Sequence, residues 1–513
     1  MIIFDTIAKK TNGRGVSVLK KYMLGVDIGT TNVKAALFTY SGEEIFVKSA
    51  SYNLFTDEEG AATQSAEEIK EQVFKVLKES ANEANEKEFE ISFVSFSAAM
   101  HSLLAVDEKG EAILPVYTWG DRQAECFVQE LENEVGTDLY HRTGTPIHVM
   151  NPLVKMIWLK NEQPKIIEKA HKFLGIKSFV LYHLFGEYYT DYSIGNATGM
   201  FNMHDLSWDK EALEIAGISA NKLSKLVPTT EVLHGMKEEI ASELGLPIDI
   251  PVVIGASDGC LANLGVNAFE PGKVALTIGT SGAIRSVTDK PKTDKNQRTF
   301  CYALTEDHWV VGGPVNNGGV VLDWARQRFT NTGLVEFEEM MDVIETVNPG
   351  ADGVFIHPYL LGERSPIWRS DAKGSFFGLD LHHRNDHMLR SVLEGINMNL
   401  YAVYKVISEV IGAHAKEFLV TGGFIKSKAW LQLISDIFGI DFVVTRVTEN
   451  GCFGATILGL LALGEIKDFR EVSEMIPIVE RIQPNQEQHT FYKAHFEKYQ
   501  IINKHLITML DEM

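Results

Sequence analysis

The sequence predicts an α/β fold made of two similar domains that face each other across a central cleft. Three observations carry that prediction. The chain has 513 residues, more than one ordinary hydrophobic core organises, so at least two large domains are expected. Residues 22–38 read as strand, glycine turn, strand: an apolar run to Val26, the turn Asp27-Ile28-Gly29-Thr30-Thr31-Asn32, and an alternating run from Val33. The same unit returns at 274–285, where Ile-Gly-Thr-Thr becomes Ile-Gly-Thr-Ser. Two copies, each opening one half of the chain, indicate duplicated domains.

Composition bounds the class. An apolar fraction of 45% and a charged fraction of 23% are those of a globular protein. No window approaches the roughly 18 uninterrupted apolar residues of a membrane span. Residues 1–4 are apolar but Lys9, Lys10 and Arg14 follow, which is no signal peptide. Residues 1–21 are expected to be a poorly ordered extension, with Met23 a candidate start. Cys126, Cys260, Cys301 and Cys452 are scattered, without zinc or disulfide spacing, and suit a reducing cytoplasm. A net charge of −21 argues against nucleic acid, whose binding relies on a basic footprint. It also means that local donors must reverse the field wherever an anion binds.

The first turn is a concave nest of backbone N–H groups and two hydroxyls, suited to phosphate oxygens. Asp27, at the strand end, is placed to orient Mg²⁺ or its waters; a surface hairpin is the other reading. A third strand is expected at 44–51, an amphipathic helix at 66–83 and a buried strand at 91–97. That strand ends in Ser97-Ala98-Ala99-Met100-His101, where ligands gather in α/β domains, although a lone histidine also serves structure. Trp119-Gly120-Asp121-Arg122 combines an indole, a carboxylate and a guanidinium, a polyol-binding set or a helix cap with an ion pair. Residues 140–148 read as a polar loop with two histidines and Arg142. Pro152–Glu162 has helical periodicity with proline in the first turn. The β-rich run 251–255 delivers Asp258 to the start of a helix at 260–264, as a cleft carboxylate, an N-cap, or both. In the second half Gly279, Thr280 and Ser281 repeat the phosphate turn, but Thr277 stands where the first copy has Asp27. Residues 312–319 form a turn feeding a helix that contains Trp324. A long helix is expected at 387–411. The strand 418–420 ends in Thr421-Gly422-Gly423-Phe424-Ile425-Lys426-Ser427, whose glycine pair lets a flat ring lie on the backbone or makes a tight turn. Residues 451–456 open the last core helix, and 491–513 a terminal one.

These residues together resemble the FGGY-type carbohydrate kinases, of the actin/Hsp70-like ATPase superfamily. One signature matches at 150–162 (MNPLVKMIWLKNE). A second runs from Gly374 through Gly378-Leu379 to His387 and Ser391-Val392-Leu393-Glu394. Within the family, SFSAAMHSLLAVD, YHRTGTPIHVMNPL, VIGASDG and FCYALTEDHWVVGGPVNNGG are similar to gluconate kinases of Gram-positive bacteria. The resemblance implies two actin/Hsp70-like (ribonuclease H-like) domains: 22–267, sugar-binding with the first phosphate loop, and 268–470, ATP-binding, followed by a helical tail at 471–513. It implies ATP-dependent phosphorylation of D-gluconate on its C6 hydroxyl. Asp258 would be the base and Asp27 would orient Mg²⁺. Thr30, Thr31, Lys34, Gly279, Thr280, Ser281, Gly422, Gly423 and Ser427 would hold ATP. Met100, His101, Trp119, Asp121 and Arg122 would line the sugar pocket. His101, Arg122, Arg142 and His148 are the candidates for the gluconate carboxylate, with Arg122 first because guanidinium pairs bidentately. The adenosine motif reads TGGF where many relatives have three glycines. The partners implied are gluconate and ATP, with a homodimer allowed. The family does not fix the sugar: a kinase for xylulose or another neutral pentulose is the alternative, and a non-catalytic sugar sensor a second.

Overall fold

The computed structural model describes residues 8–9, 18–330, 337–446 and 449–512. Each half is built on one sheet, and the two sheets share a strand order. In the first half β1 (Val18–Ile28), β2 (Asn32–Thr39) and β3 (Glu44–Ser51) form an antiparallel meander. Helix α1 (Ala66–Glu86) leads to β4 (Phe89–Ala98), parallel beside β1. Helices α2 (Val128–Thr143) and α3 (Pro152–Glu162) belong to a long excursion before β5 (Val252–Ser257), parallel beside β4, and α4 (Asp258–Gly265).

In the second half β6 (Lys273–Ile278) and β7 (Gly282–Thr288) form the hairpin, with β8 (Phe300–Ala303) and β9 (Trp309–Val315) added antiparallel through β9. After α5 (Gly319–Phe329) and α6 (Asn385–Ile411), β10 (Glu417–Gly422) lies parallel to β6. Then come α7 (Lys428–Phe438), β11 (Asp441–Thr445, parallel to β10) and α8 (Asn450–Ala462). The order β3-β2-β1-β4-β5 is repeated as β9-β7-β6-β10-β11.

The central strands are apolar on both faces because helices cover both; Met23, Leu24, Val26 and Ile28 are all fully buried. Helix α1 starts where Ser65 accepts the Glu68 N–H at 3.2 Å, and packs Ile69, Val73, Val76 and Leu77 onto the sheet.

Three expectations change. Residues 1–7 and 10–17 of the expected extension lie outside the described residues, but β1 begins at Val18, so a boundary after residue 21 cuts a strand. Residues 140–143 are the last turn of α2, stopped by Gly144 at φ 66°, and only 144–151 are loop. The tail at 471–513 is not helix alone. Its alternating Ile478–Ile482 forms β12, an antiparallel edge strand on β11 whose Arg481 pairs with Glu417 and Asp441. Helix α9 (Gln486–Glu512) follows and packs on α7.

The halves meet where α4 and α8, each following the fifth strand of its sheet, lie against each other. Glycines make the contact backbone to backbone. A Cβ on Gly454 would stand 2.0 Å from the Leu261 carbonyl oxygen, and one on Gly265 2.3 Å from that of Asn450. One on Gly25 of β1 would stand 2.0 Å from the Cys452 oxygen. Met23, Phe38, Phe93, Leu261, Leu264, Phe453 and Ile457 form one apolar cluster from both halves at the base of the cleft.

Candidate active site

The two glycine turns face the cleft from opposite sheets. In the first, the Gly29 N–H donates to Asn32 O at 3.0 Å, the Tyr52 hydroxyl donates to Gly29 O, and Gln64 Nε2 donates to Thr30 O at 2.6 Å. Trp119 Nε1 donates to Thr30 Oγ1 at 3.0 Å, tying the sugar loop to the turn, while Thr31 stays exposed. Lys34 is not free: both Glu449 carboxylate oxygens, from the other half, accept from its Nζ at 2.8 and 3.0 Å. In the second turn, Gly279 and Thr280 are exposed, and nothing lies within 4 Å of where a Gly279 Cβ would be. Their carbonyls accept the first N–H groups of α5, Gly319 at 2.8 Å and Val320 at 3.1 Å. Ser281 closes the turn, its carbonyl accepting from Gly279 N at 2.9 Å.

Two carboxylates stand at the strand ends. Asp27 Oδ1 accepts from Ser97 Oγ at 2.6 Å, and α8 abuts the other oxygen so closely that a Cβ on Gly451 would sit 2.6 Å from it. Burial pushes the Asp27 pKa up, with Ser97 and Lys34 opposing. Asp258 occupies the first turn of α4, but Ser257 is the cap, accepting from Cys260 N at 3.4 Å. The carboxylate is therefore released from capping and, among the described residues, accepts from the Gly259 N–H alone, at 2.6 Å. Burial, then the Asp27 charge, push Asp258 up to about 6, while Arg285 on β7 opposes. Arg285 Nε is itself buried without a hydrogen-bond partner among the described residues. Below them Lys177 and Asp191 form a fully buried ion pair at 2.7 Å, and Lys177 Nζ also donates to Ala256 O at 3.1 Å, bracing the end of β5.

The sugar-side residues separate into two groups. His101, at φ 66° just beyond β4, is buried and donates from Nδ1 to Ala197 O at 2.7 Å. Burial, Lys155 and Arg364 bring its pKa down to about 3, so the neutral ring leaves Nε2 as an acceptor. His148 has the complementary tautomer. Its Nδ1 accepts from Met150 N at 3.2 Å, and burial and Arg364 bring its pKa to about 3, so Nε2 carries the proton. One acceptor and one donor nitrogen suit a hydroxylated chain. Met100 packs its methyl against the Gly259 position, beside Arg285. Trp119 lies under the Arg364 guanidinium at 5.3 Å, and Trp368 edges His148 at 5.5 Å.

Asp121 and Arg122 are not delivered as free ligands. Asp121 is fully buried; its Oδ2 accepts from Ala62 N at 2.9 Å and Oδ1 from Gln123 N at 3.4 Å, pinning the loop. Arg122 is exposed and paired with Glu125 at 2.7 Å. Arg142 is likewise taken, by Asp209 at 2.8 Å and Glu211 at 2.6 Å.

On the adenosine side the glycine pair divides its work. Gly422 has φ 109°, and a Cβ there would lie 2.0 Å from Ile278 O, so it is required by the β10–β6 pairing. Gly423 is exposed, with nothing within 4 Å of its Cβ position. Ser427 caps α7, accepting from Trp430 N at 3.2 Å.

Residues not singled out from sequence complete the site: Ser97, Lys155, Lys177, Arg285, Glu363, Arg364 and Glu449. Arg285 sits on an alternating strand directly after the second turn, and Arg364 in the Gly362-Glu363-Arg364-Ser365-Pro366 loop. Those were the local signals available.

Two duplicated α/β halves, each offering a glycine turn to a cleft with a near-neutral carboxylate, define a phosphotransferase architecture. Family models for the N-terminal and C-terminal domains of the FGGY family of carbohydrate kinases match residues 22–265 and 274–463. The chain belongs to that family, and is a carbohydrate kinase of the actin/ribonuclease H-like fold. It is 46% identical to the gluconokinase of Bacillus subtilis over 485 residues, covering 93% of this chain and 94% of that one. It is 27% identical to the same organism's xylulose kinase, covering 94% and 97%. Among solved structures, a gluconate kinase from Lactobacillus acidophilus superposes with a TM-score of 0.91 at 34% identity, covering 95% of this chain and 98% of that one.

Proposed function

We propose that this kinase transfers the γ-phosphoryl group of ATP to the C6 hydroxyl of D-gluconate, giving 6-phospho-D-gluconate. One observation carries the choice of sugar: identity to the Bacillus subtilis gluconokinase is 46%, against 27% to the xylulose kinase of the same organism, at similar coverage. The geometry around Asp258 suits the chemistry. Its carboxylate, with a pKa near 6, is ionised at neutral pH yet basic enough to take the O6 proton. As O6 bonds to the γ-phosphorus, the bond from phosphorus to the β,γ-bridging oxygen breaks and ADP leaves with the electron pair. The donors of Thr30, Thr31, Gly279, Thr280 and Ser281 would hold the phosphates from both sides, and a base would lie on the open backbone of Gly423.

Among the described residues no cluster of three or more His, Cys, Asp or Glu side chains could hold a metal ion unaided. That fits Mg²⁺, which binds through one or two carboxylates plus substrate phosphates. Asp27 is the carboxylate that would orient it, and the ion would neutralise charge on the phosphates. The exposed or buried free state of all four cysteines suits a reducing cytoplasm. Among the described residues no helix is long and apolar enough to cross a membrane.

A xylulose kinase from Lactobacillus acidophilus superposes almost as well, with a TM-score of 0.90 at 34% identity, so a neutral pentulose is the reading to test against. A coupled ADP-release assay across gluconate, xylulose, ribulose and glycerol decides. Gluconate is expected to give the highest kcat/KM, and a higher value for xylulose would replace the proposal.

A further inference from the structure

Among the described residues, two arginines of the cleft, Arg285 and Arg364, make no ion pair at contact distance with a carboxylate. In a chain with 69 acidic and 48 basic residues, an arginine ordinarily takes one, as Arg122, Arg142, Arg298 and Arg390 do. Arg364 instead rests on neutral acceptors. Its Nε donates to Asn316 Oδ1 at 2.7 Å and one Nη to Val315 O at 3.2 Å, with the guanidinium plane over Trp119. The neighbouring Glu363 carboxylate is already saturated. Oε1 accepts from Asn316 N at 2.6 Å and Arg364 N at 2.9 Å, and Oε2 from Asn399 Nδ2 at 2.7 Å and Asn317 Nδ2 at 3.1 Å. Those contacts fix the loop and leave the remaining guanidinium edge without a partner among the described residues.

The two arginines have different neighbours, although the Arg285 charge reaches Arg364. Arg285 lies at the reacting end, its Nε 3.2 Å from where a Gly259 Cβ would stand, beside Asp258. Arg364 lies with Trp119, His101 and His148, and its charge helps keep both histidines neutral. With its terminal hydroxyl at Asp258, a linear hydroxy acid would carry its carboxylate at the other end of the chain, where Arg364, beside Trp119, His101 and His148, is the candidate partner. A half-buried guanidinium, pre-oriented by two neutral hydrogen bonds and lying 5.3 Å from the centre of an indole ring, has the features of a bidentate carboxylate site.

We propose that Arg364 is the residue that recognises the carboxylate of the substrate, and so the determinant of a sugar acid over a neutral sugar. The inference rests on the gluconate reading above, and assigns to the second half a role that Arg122 was expected to fill from the first.

The test compares D-gluconate with D-gluconamide, which has the same carbon chain and an uncharged C1 amide. Wild-type enzyme should turn over gluconate and favour it in kcat/KM by about 10- to 150-fold, the range for a charge-assisted hydrogen bond. Arg364→Gln should lose that preference, its kcat/KM for gluconate falling at least about tenfold further than its kcat/KM for gluconamide. Arg364→Lys, which keeps the charge without the fork, should fall between. A wild-type enzyme inactive on gluconate overturns the function itself. An enzyme active on gluconate with no preference over gluconamide overturns only the carboxylate site. Preference retained in Arg364→Gln, or lost in Arg285→Gln but not there, moves the site away from Arg364. Should Arg364→Gln not fold, an unchanged preference in Arg364→Lys overturns the assignment equally.

Discussion

Asp258 shows how much of the chemistry one residue position can hold. Ser257 takes the capping duty, so the carboxylate one residue later is free to face the cleft, and burial raises its pKa to about 6. A base must be ionised, so activity should fall with acid. log(kcat/KM) for gluconate is expected to drop with unit slope below about pH 6 and to level above it, read from initial rates at constant ionic strength. Asp258→Asn should lower kcat by about 10²–10⁴ while ATP binding, measured by calorimetry, persists; near-normal turnover would remove Asp258 from the base role. The same shift has a stability consequence. A carboxyl whose folded pKa is raised makes ionisation unfavourable to folding above about pH 6, and that penalty disappears as pH falls toward its ordinary range. The Asn variant should therefore melt above the wild type at pH 7–8, with the gap closing toward pH 4. Stability gained where activity is lost would mark the charge as held for function.

At the scale of elements, the turn that ends β10 separates a glycine the packing requires from one it leaves open. Gly422 needs its positive φ and the absence of a Cβ to let β10 lie against β6, so Gly422→Ala should destabilise the apo protein by at least ~1 kcal/mol. Gly423 has open space instead, so Gly423→Ala should melt within a degree or two of wild type yet raise the KM for ATP. Thermal melts without nucleotide, paired with ATP saturation curves, distinguish the two. An unchanged KM in the Gly423 variant would place the adenosine elsewhere. The contrast also explains what the sequence made legible. Strand, glycine turn, strand is a local pattern, so both glycine turns, and the places of Asp27 and Asp258 at strand ends, could be read from their neighbours. The sheet duplication followed from the same repeat. Arg364 could not be read in this way, because its meaning is the lack of a carboxylate partner, and a lack appears only when distant segments are folded together. Arg122 had the opposite difficulty. Its partner Glu125 stands three residues on, a spacing visible in the chain, and the folded protein pairs the two at 2.7 Å. Lys34 looked available until Glu449, 415 residues away, supplied its counter-charge.

For the molecule as a whole, the halves are joined at the base of the cleft by packing that resists change and at its rim by contacts that can break. At the base the glycine-mediated approach of α4 and α8 leaves no room for sliding, and the apolar cluster around Phe93 and Phe453 buries both sides. The rim is polar. Ser370 of the second half donates to Glu125 of the first, Arg364 covers Trp119, and Trp368 edges His148. Partly buried contacts of this kind are fewer and weaker than the packing at the base, so the rim is where the cleft is expected to open for a sugar acid and close to keep water from the γ-phosphate. Covalent closure at that point should therefore stop turnover without unfolding the protein. In a Cys126→Ser background, which removes the exposed native thiol next door, Glu125→Cys with Ser370→Cys should lose gluconate kinase activity on oxidation and regain it on reduction. Each single cysteine variant should be insensitive to oxidant. Loss of activity with an unchanged melting profile would tie catalysis to rim opening. Full activity in the oxidised double variant, with the disulfide verified by mass spectrometry, would mean that gluconate and ATP enter and leave through a cleft that never opens at this edge.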